Sequence, residues 1–281
     1  IYIILIFMEK NTFEVGDFKL RESEILNELK KFIQLYERRP IKNNKGGMGF
    51  NNMFYFYLVL KNKEPSLVIE SGVFKGQSTW LIENTLPKSQ IISIDIDLSQ
   101  REFISNKASY SNVDFKFHDF SKIPDDTLVF FDDHVNHLDR LIESKFFNIK
   151  NIVLEDNYSN NSGDFQTLKQ IYNNNIFNHN PGILSLIKTS LIFNKIIISK
   201  IFKKNYFARK EIDKVSKRIR DGYDCKNFDT IKKNISLYYE FPLSIYKIFD
   251  NSEEQINSLF PENITKDINK NKSPFTYLEL V

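Results

Sequence analysis

Four apolar runs recur between residues 66 and 157: SLVIES (66–71), QIISIDID (90–97), DTLVFFDD (126–133) and IKNIVLEDN (149–157). Each closes on or beside an acidic residue. Continuous Val, Ile, Leu and Phe runs of this length read as strands buried on both faces. The segments between them, GQSTWLIENTL, LSQREFISNKA and VNHLDRLIESKFF, read as helices, and NVDFKFHDF (112–120) alternates like a further strand. Strands alternating with helices predict an α/β fold, a Rossmann-like parallel sheet with helices on both faces. Right-handed crossovers bring the carboxyl ends of such strands to one edge, and ligands bind at that edge.

The flanks are less regular. Leu20, Ile25, Leu29, Phe32, Ile33 and Tyr36 recur at helical spacing, Pro40 ends that helix, and MFYFYLVLKN reads as a buried helix or turn. Residues 1–62 are therefore expected to form an N-terminal helical segment. Residues 63–281 would form the α/β domain, with a basic helical insertion at about 176–234. Residues 183–235 carry 14 Lys and Arg against 5 Asp and Glu. That stretch suits a helical flank on the sheet, and its charge leaves open an anionic acceptor or contact with a membrane surface. ISLYYEFPLSIY (235–246) and FTYLELV (275–281) read as strands that close the sheet. YYEFP (238–242) would be strand core or the lining of an acceptor pocket, Trp80 is expected in the core, and KGGMG (45–49) reads as a loop or lid.

A net charge of +3 is too small to imply nucleic acid, and none is expected as a partner. The single Cys225 excludes an intramolecular disulfide and a cysteine-rich metal site, and fits a reducing compartment. IYIILIF is too short to span a membrane. The expectation is a soluble, cytoplasmic protein acting on a small-molecule acceptor, with a homo-oligomer left open.

The turn VIESGVFKGQST (68–79) narrows the ligand. A phosphate loop needs GxxxxGK[ST] and a dinucleotide fold needs GxGxxG; neither is present. Glu70 at the turn would repel a pyrophosphate and suit a ligand that carries an amino group and no phosphate. S-adenosylmethionine is such a ligand. Gly72 and Gly76 would let its backbone approach, and Ser78 would cap the next helix or reach its carboxylate. Asp95 would accept from the ribose hydroxyls, as acids also do in nicotinamide sites. His118 and Asp119 would lie beside the adenine. A nicotinamide oxidoreductase would have to tolerate Glu70 beside its phosphates.

A second group of acids ends the later strands: Asp132 and Asp133, then Glu155, Asp156 and Asn157. If these strands are neighbours, the oxygens converge. Hard oxygen ligands without cysteine suit Mg²⁺, Ca²⁺ or Mn²⁺. Without a cation, clustered acids would raise their own pKa values and cost stability. Asp133 is also placed to cap the following helix.

ESGVFKGQS resembles the E-x-G-x-x-x-G-x-S turn of catechol O-methyltransferases, and FFDDH followed by VLEDN resembles the metal-binding strand ends of the same enzymes. Residues 65–175 are also similar to macrocin-type sugar O-methyltransferases and cephalosporin hydroxylase-like proteins. The resemblance implies a class I methyltransferase fold, S-adenosylmethionine as cofactor, and a divalent metal, Mg²⁺ in the first instance, that holds the acceptor. Matching FLDH selects Asp132 as ligand and matching GDH selects Asp133. The last pair is Asp156 with Asn157, as in the catechol enzymes, or Glu155 with Asp156, as in the sugar enzymes. The implied reaction is metal-assisted O-methyl transfer to a hydroxylated small molecule, a sugar or glycan precursor among the candidates. Catechol-type enzymes carry a lysine three residues after the first metal-binding Asp, and it is missing here. His134 and His137 are the candidates to replace it as catalytic base. Two alternatives keep the fold: a hydroxylase-like enzyme of unknown reaction, and an inactive module that only binds the adenosyl ligand. The second would have no need of the acids at 132, 133, 155 and 156.

Overall fold

Four parallel strands form the centre of the protein, as the apolar runs require. β3 (Leu67–Ser71), β4 (Gln90–Ile94), β6 (Leu128–Phe131) and β7 (Asn151–Glu155) are joined by a short edge strand β5 (Ala108–Ser111). Two antiparallel strands, β8 (Ile235–Glu240) and β9 (Phe275–Leu280), complete a seven-stranded sheet in the order β5-β4-β3-β6-β7-β9-β8. This computed structural model describes residues 12–15, 18–159, 163, 165–172, 232–249, 253–258, 260–270 and 272–281. The order reverses between β3 and β6, the switch point where open α/β sheets bind ligands. The expected Rossmann-like α/β sheet is the fold observed.

One face is covered by two helices, α1 (Glu22–Glu37) and α2 (Phe50–Lys63). α1 buries the stripe Ile25, Leu29, Phe32, Ile33 and Tyr36. α2 is apolar all round and buried from Phe50 to Leu60, which is the pattern of a helix enclosed on every side. Phe56 lies 4.5 Å from Phe130 of β6, and Tyr55 stacks on Phe241 at 4.8 Å. α3 (Gln77–Thr85) follows β3, and two short helices, α6 (Glu253–Asn257) and α7 (Glu262–Ile268), lie between β8 and β9. Near β5 and β6, Phe115, Phe120, Phe131 and Phe147 form an aromatic cluster with centroids 5.0–6.0 Å apart.

Three local expectations are corrected. Residues 112–120 are not a strand. Asp114 accepts the Lys116 amide and starts a 3₁₀ turn at Phe115–Phe117; the alternation came from Phe115 and Phe120 packing inward from a turn. LSQREFISNKA forms only a 3₁₀ turn at Leu98–Gln100, begun by Asp97 accepting from Ser99. The N-terminal segment is not all helical: β1 (Thr12–Val15) and β2 (Phe18–Arg21) make an antiparallel hairpin.

The chain divides into two compact units. The sheet, with α1 to α3, makes up the larger. The other comprises residues 135–140 and 158–233. Its described part includes the first residues of α4 (His137–Phe146) and a short helix α5 (Leu168–Tyr172). The basic insertion, apart from residues 232–234, lies outside the described residues, as does Cys225. Among the described residues, no helix is long and apolar enough to cross a membrane.

Candidate active site at the carboxyl edge of the sheet

The register aligns the strand ends. Ser71 of β3 pairs with Ile94 of β4 and Phe131 of β6, and Phe131 pairs with Leu154 of β7. Gly72, Asp95, Asp132 and Glu155 therefore follow on one row. The chain turns sharply at Gly72, whose φ is 99°. A Cβ at Gly72 would stand 2.2 Å from the Asp132 carbonyl oxygen, so only glycine fits between the two strand ends. Gly76, at φ 90°, is closed off in the same way by the Phe103 carbonyl, 2.5 Å from a built Cβ. The non-helical stretch after β4 thus roofs this turn: Lys75 O accepts the amides of Glu102 and Phe103.

Glu70 lies beneath the turn and is fully buried. Its Oε2 accepts from the Thr79 and Ser93 hydroxyls at 2.6 and 2.7 Å. Its Oε1 is buried and accepts no well-formed hydrogen bond, with the Ser78 hydroxyl close enough to lower the carboxyl's pKa. Burial pushes the carboxyl up to about 7, and the hydroxyls of Ser78, Thr79 and Ser93 pull it back. Thr79 and Ser93 were not foreseen, because a hydroxyl in a buried strand or helix gives no sequence signal. Asp95 is already engaged. Its Oδ2 accepts the Val73 and Phe74 amides at 2.8 and 2.9 Å, and its Oδ1 the Asp97 amide. The Asp95 carboxylate therefore fixes the shape of the glycine turn.

The second row of acids lies at the ends of β6 and β7. Asp132, His134 and Asp156 each offer a ligand atom within 4.8 Å of the others. Both strands end in left-handed residues, His134 at φ 56° and Asp156 at φ 58°. His134 Nε2 is 3.9 Å from Asp156 Oδ2. Burial, then Glu155 and Asp156, hold Asp132 well above the usual carboxylate range. Glu155 is pushed to about 7 by burial and Asp156, against hydrogen bonds that include those from Asn52 and Ser273.

The other sequence candidates point elsewhere. Asp133 Oδ2 accepts from Ser71 Oγ. Glu155 Oε1 accepts from Asn52 at 2.9 Å and Ser273 at 3.2 Å, which tie it to α2 and the β9 approach. Asn157 is buried and its amide nitrogen donates to Tyr238 and Thr276, both at 2.8 Å. His137 belongs to the second unit. It is buried, its Nδ1 accepts the Leu168 amide at 3.2 Å, and its ring packs on Phe165. These contacts make it an anchor for the loop before α5. His118 Nε2 pairs with the Val113 carbonyl and its ring stacks on Phe120, while exposed Asp119 caps Ser121. Asn52 was also missed. Its signal was an Asn pair opening an otherwise apolar helix, where Asn51 bridges Ile245 and Ile268.

No family model matches the chain, and no curated protein matches it. Searches of solved structures return similar folds. A Bacillus cereus O-methyltransferase in complex with SAH is 8% identical, with a TM-score of 0.45, covering 93% of this chain and 92% of that one. A SAH-bound Podospora anserina methyltransferase is 9% identical, with a TM-score of 0.38 and coverage of 90% and 87%. CmcI with SAH is 14% identical, with a TM-score of 0.35, covering 53% of this chain and 84% of that one.

Proposed function

We propose that the protein is an S-adenosylmethionine-dependent O-methyltransferase that uses a divalent metal to hold a hydroxylated small molecule. The observation that carries this reading is the buried Glu70 beneath the Gly72–Gly76 turn, with one carboxylate oxygen accepting no well-formed hydrogen bond. A cationic amino group near this edge would offset that orphan charge, whereas phosphates would add to it. S-adenosylmethionine would supply an electrophilic methyl group. The acids at the ends of β6 and β7 fit a cation on separate grounds: enclosed carboxylates that raise one another's pKa are relieved by positive charge. A cation held by Asp132, Asp156 and their neighbours would polarise an acceptor hydroxyl and ease its ionisation. The residues of the chain then act by placement. The turn fixes one reactant, the acid row fixes the other, and the register of β3 with β6 sets the distance between them.

The test is calorimetric titration of S-adenosylmethionine and of NAD into the full chain, with and without a divalent cation. S-adenosylmethionine should bind and NAD should not. Binding of NAD alone, or of neither, overturns the reading. Transfer from labelled S-adenosylmethionine to a panel of vicinal diols then identifies the acceptor, with sugars as the first class to screen.

A further inference from the structure

We infer that His134 is itself a metal ligand, so that one imidazole and two carboxylates select Mn²⁺, Co²⁺ or Zn²⁺ over Mg²⁺ and Ca²⁺. This rests on the reading that the acid row holds a divalent metal, and it changes which metal. The three residues that come together at the edge are Asp132, His134 and Asp156. Of the remaining acids, Asp133 is bonded to Ser71, and Glu155 is held back by Asn52 and Ser273. Asn157 presents its amide nitrogen to Tyr238 and Thr276. Asp132 and Asp156 remain from the oxygen set expected from the sequence, and the His134 ring adds a nitrogen donor beside them.

A second observation points to a cation. Glu155 is 4% exposed and its Oε2 has no donor, although it faces Asp132. A buried carboxylate oxygen left over beside the three ligand atoms is relieved by a cation held there. Ligand atoms within 4.8 Å would close by up to about 2 Å on binding, since bonds of about 2.1 Å place neighbouring ligands about 3 Å apart. His134 is half exposed, with its Nε2 3.9 Å from Asp156 Oδ2. Imidazole nitrogen favours the later first-row metals, whereas Mg²⁺ and Ca²⁺ prefer oxygen alone.

The experiment uses the full chain and the metals alone. Calorimetry should show Mn²⁺ binding about tenfold or more tighter than Mg²⁺, in line with the stronger pull of a nitrogen donor. Pulsed electron paramagnetic resonance of the Mn²⁺ form should show a directly coordinated imidazole nitrogen. His134→Gly, which suits the left-handed backbone, should abolish the nitrogen signal and the metal preference together. His134→Asn should restore binding with an oxygen ligand and no preference for Mn²⁺. Mn²⁺ bound without nitrogen coupling in the wild type overturns the inference, and leaves the methyltransferase reading intact. No binding of any divalent cation overturns both the inference and the metal-assisted part of the proposed function. The wild-type resonance decides the matter even if His134→Gly fails to fold.

Discussion

The glycine turn after β3 and the acid row after β6 and β7 share one edge of one sheet, yet they treat charge in opposite ways. At the turn, protein donors meet all but one of the acid oxygens: Asp95 takes three backbone amides, and Glu70 Oε2 takes two hydroxyls while its Oε1 is left over. At the acid row, carboxylates mainly face other carboxylates, and the histidine nearest Asp156 stands 3.9 Å away. A site whose charges are answered internally is pre-formed. A site whose charges are left facing one another stores a cost that a cation relieves. On the proposed reading, the turn supplies a shape for the ligand and the acid row a charge for the cation.

Substitutions can break or sharpen this contrast. The largest effect is expected from Gly72→Ala, which places a methyl against the Asp132 carbonyl at a left-handed φ. A loss of about 4 kcal/mol or more in urea unfolding is expected for such overpacking with backbone strain. A near-neutral result would mean that the two strand ends are not locked together.

Glu70→Gln tests the turn. The carboxyl ordinarily titrates at 4.5 and is pushed to about 7 by burial. The folded state therefore holds a proton that the unfolded state releases between these values. Its contribution to stability is present below pH 4.5 and is lost as pH rises through 7. Above that window Gln removes a cost of about 3 kcal/mol, at 1.36 kcal/mol per pKa unit. The variant should thus gain on the wild type from pH 5 to pH 8 in denaturant titrations. A parallel pH profile for the two proteins would show that Glu70 is not the titrating group.

Asp132→Asn tests the acid row, and the expected sign depends on the metal. In chelator the variant should melt about 2–4 °C higher, the shift that ~1 kcal/mol gives in a chain of this size. In saturating Mn²⁺ it should melt lower than the wild type, because the wild type alone gains from binding. The same sign under both conditions would remove the case for a metal. The smallest effect should come from His118→Ala, a change within about 0.5 kcal/mol at a partly exposed position. A larger loss of S-adenosylmethionine affinity there would extend the site to the edge of the sheet.

The sequence was informative where burial is uniform. β3, β6 and most of β7 are hidden on both faces, and β4 is largely so, so their apolar runs announced them. β5 did not announce itself, because the strand Ala108–Ser111 lies at the edge, half exposed, with almost no apolar content. Phe115 and Phe120 imitated a strand by burying two rings from a turn. His137 attracted attention as a histidine near an acid pair, and no local pattern could reveal that a distant amide at Leu168 occupies it.

What the sequence determined by itself was the class of the sheet and the position of its acids at the strand ends. Those features depend on local periodicity and on the short turns that follow each apolar run. Which acids face one another was decided only by the tertiary structure. Asn52 of α2 and Ser273 before β9 draw Glu155 inward, Ser71 takes Asp133, and two left-handed residues leave Asp132, His134 and Asp156 together. A side chain's role is set by the donors that reach it, and here those donors come from the far ends of the chain.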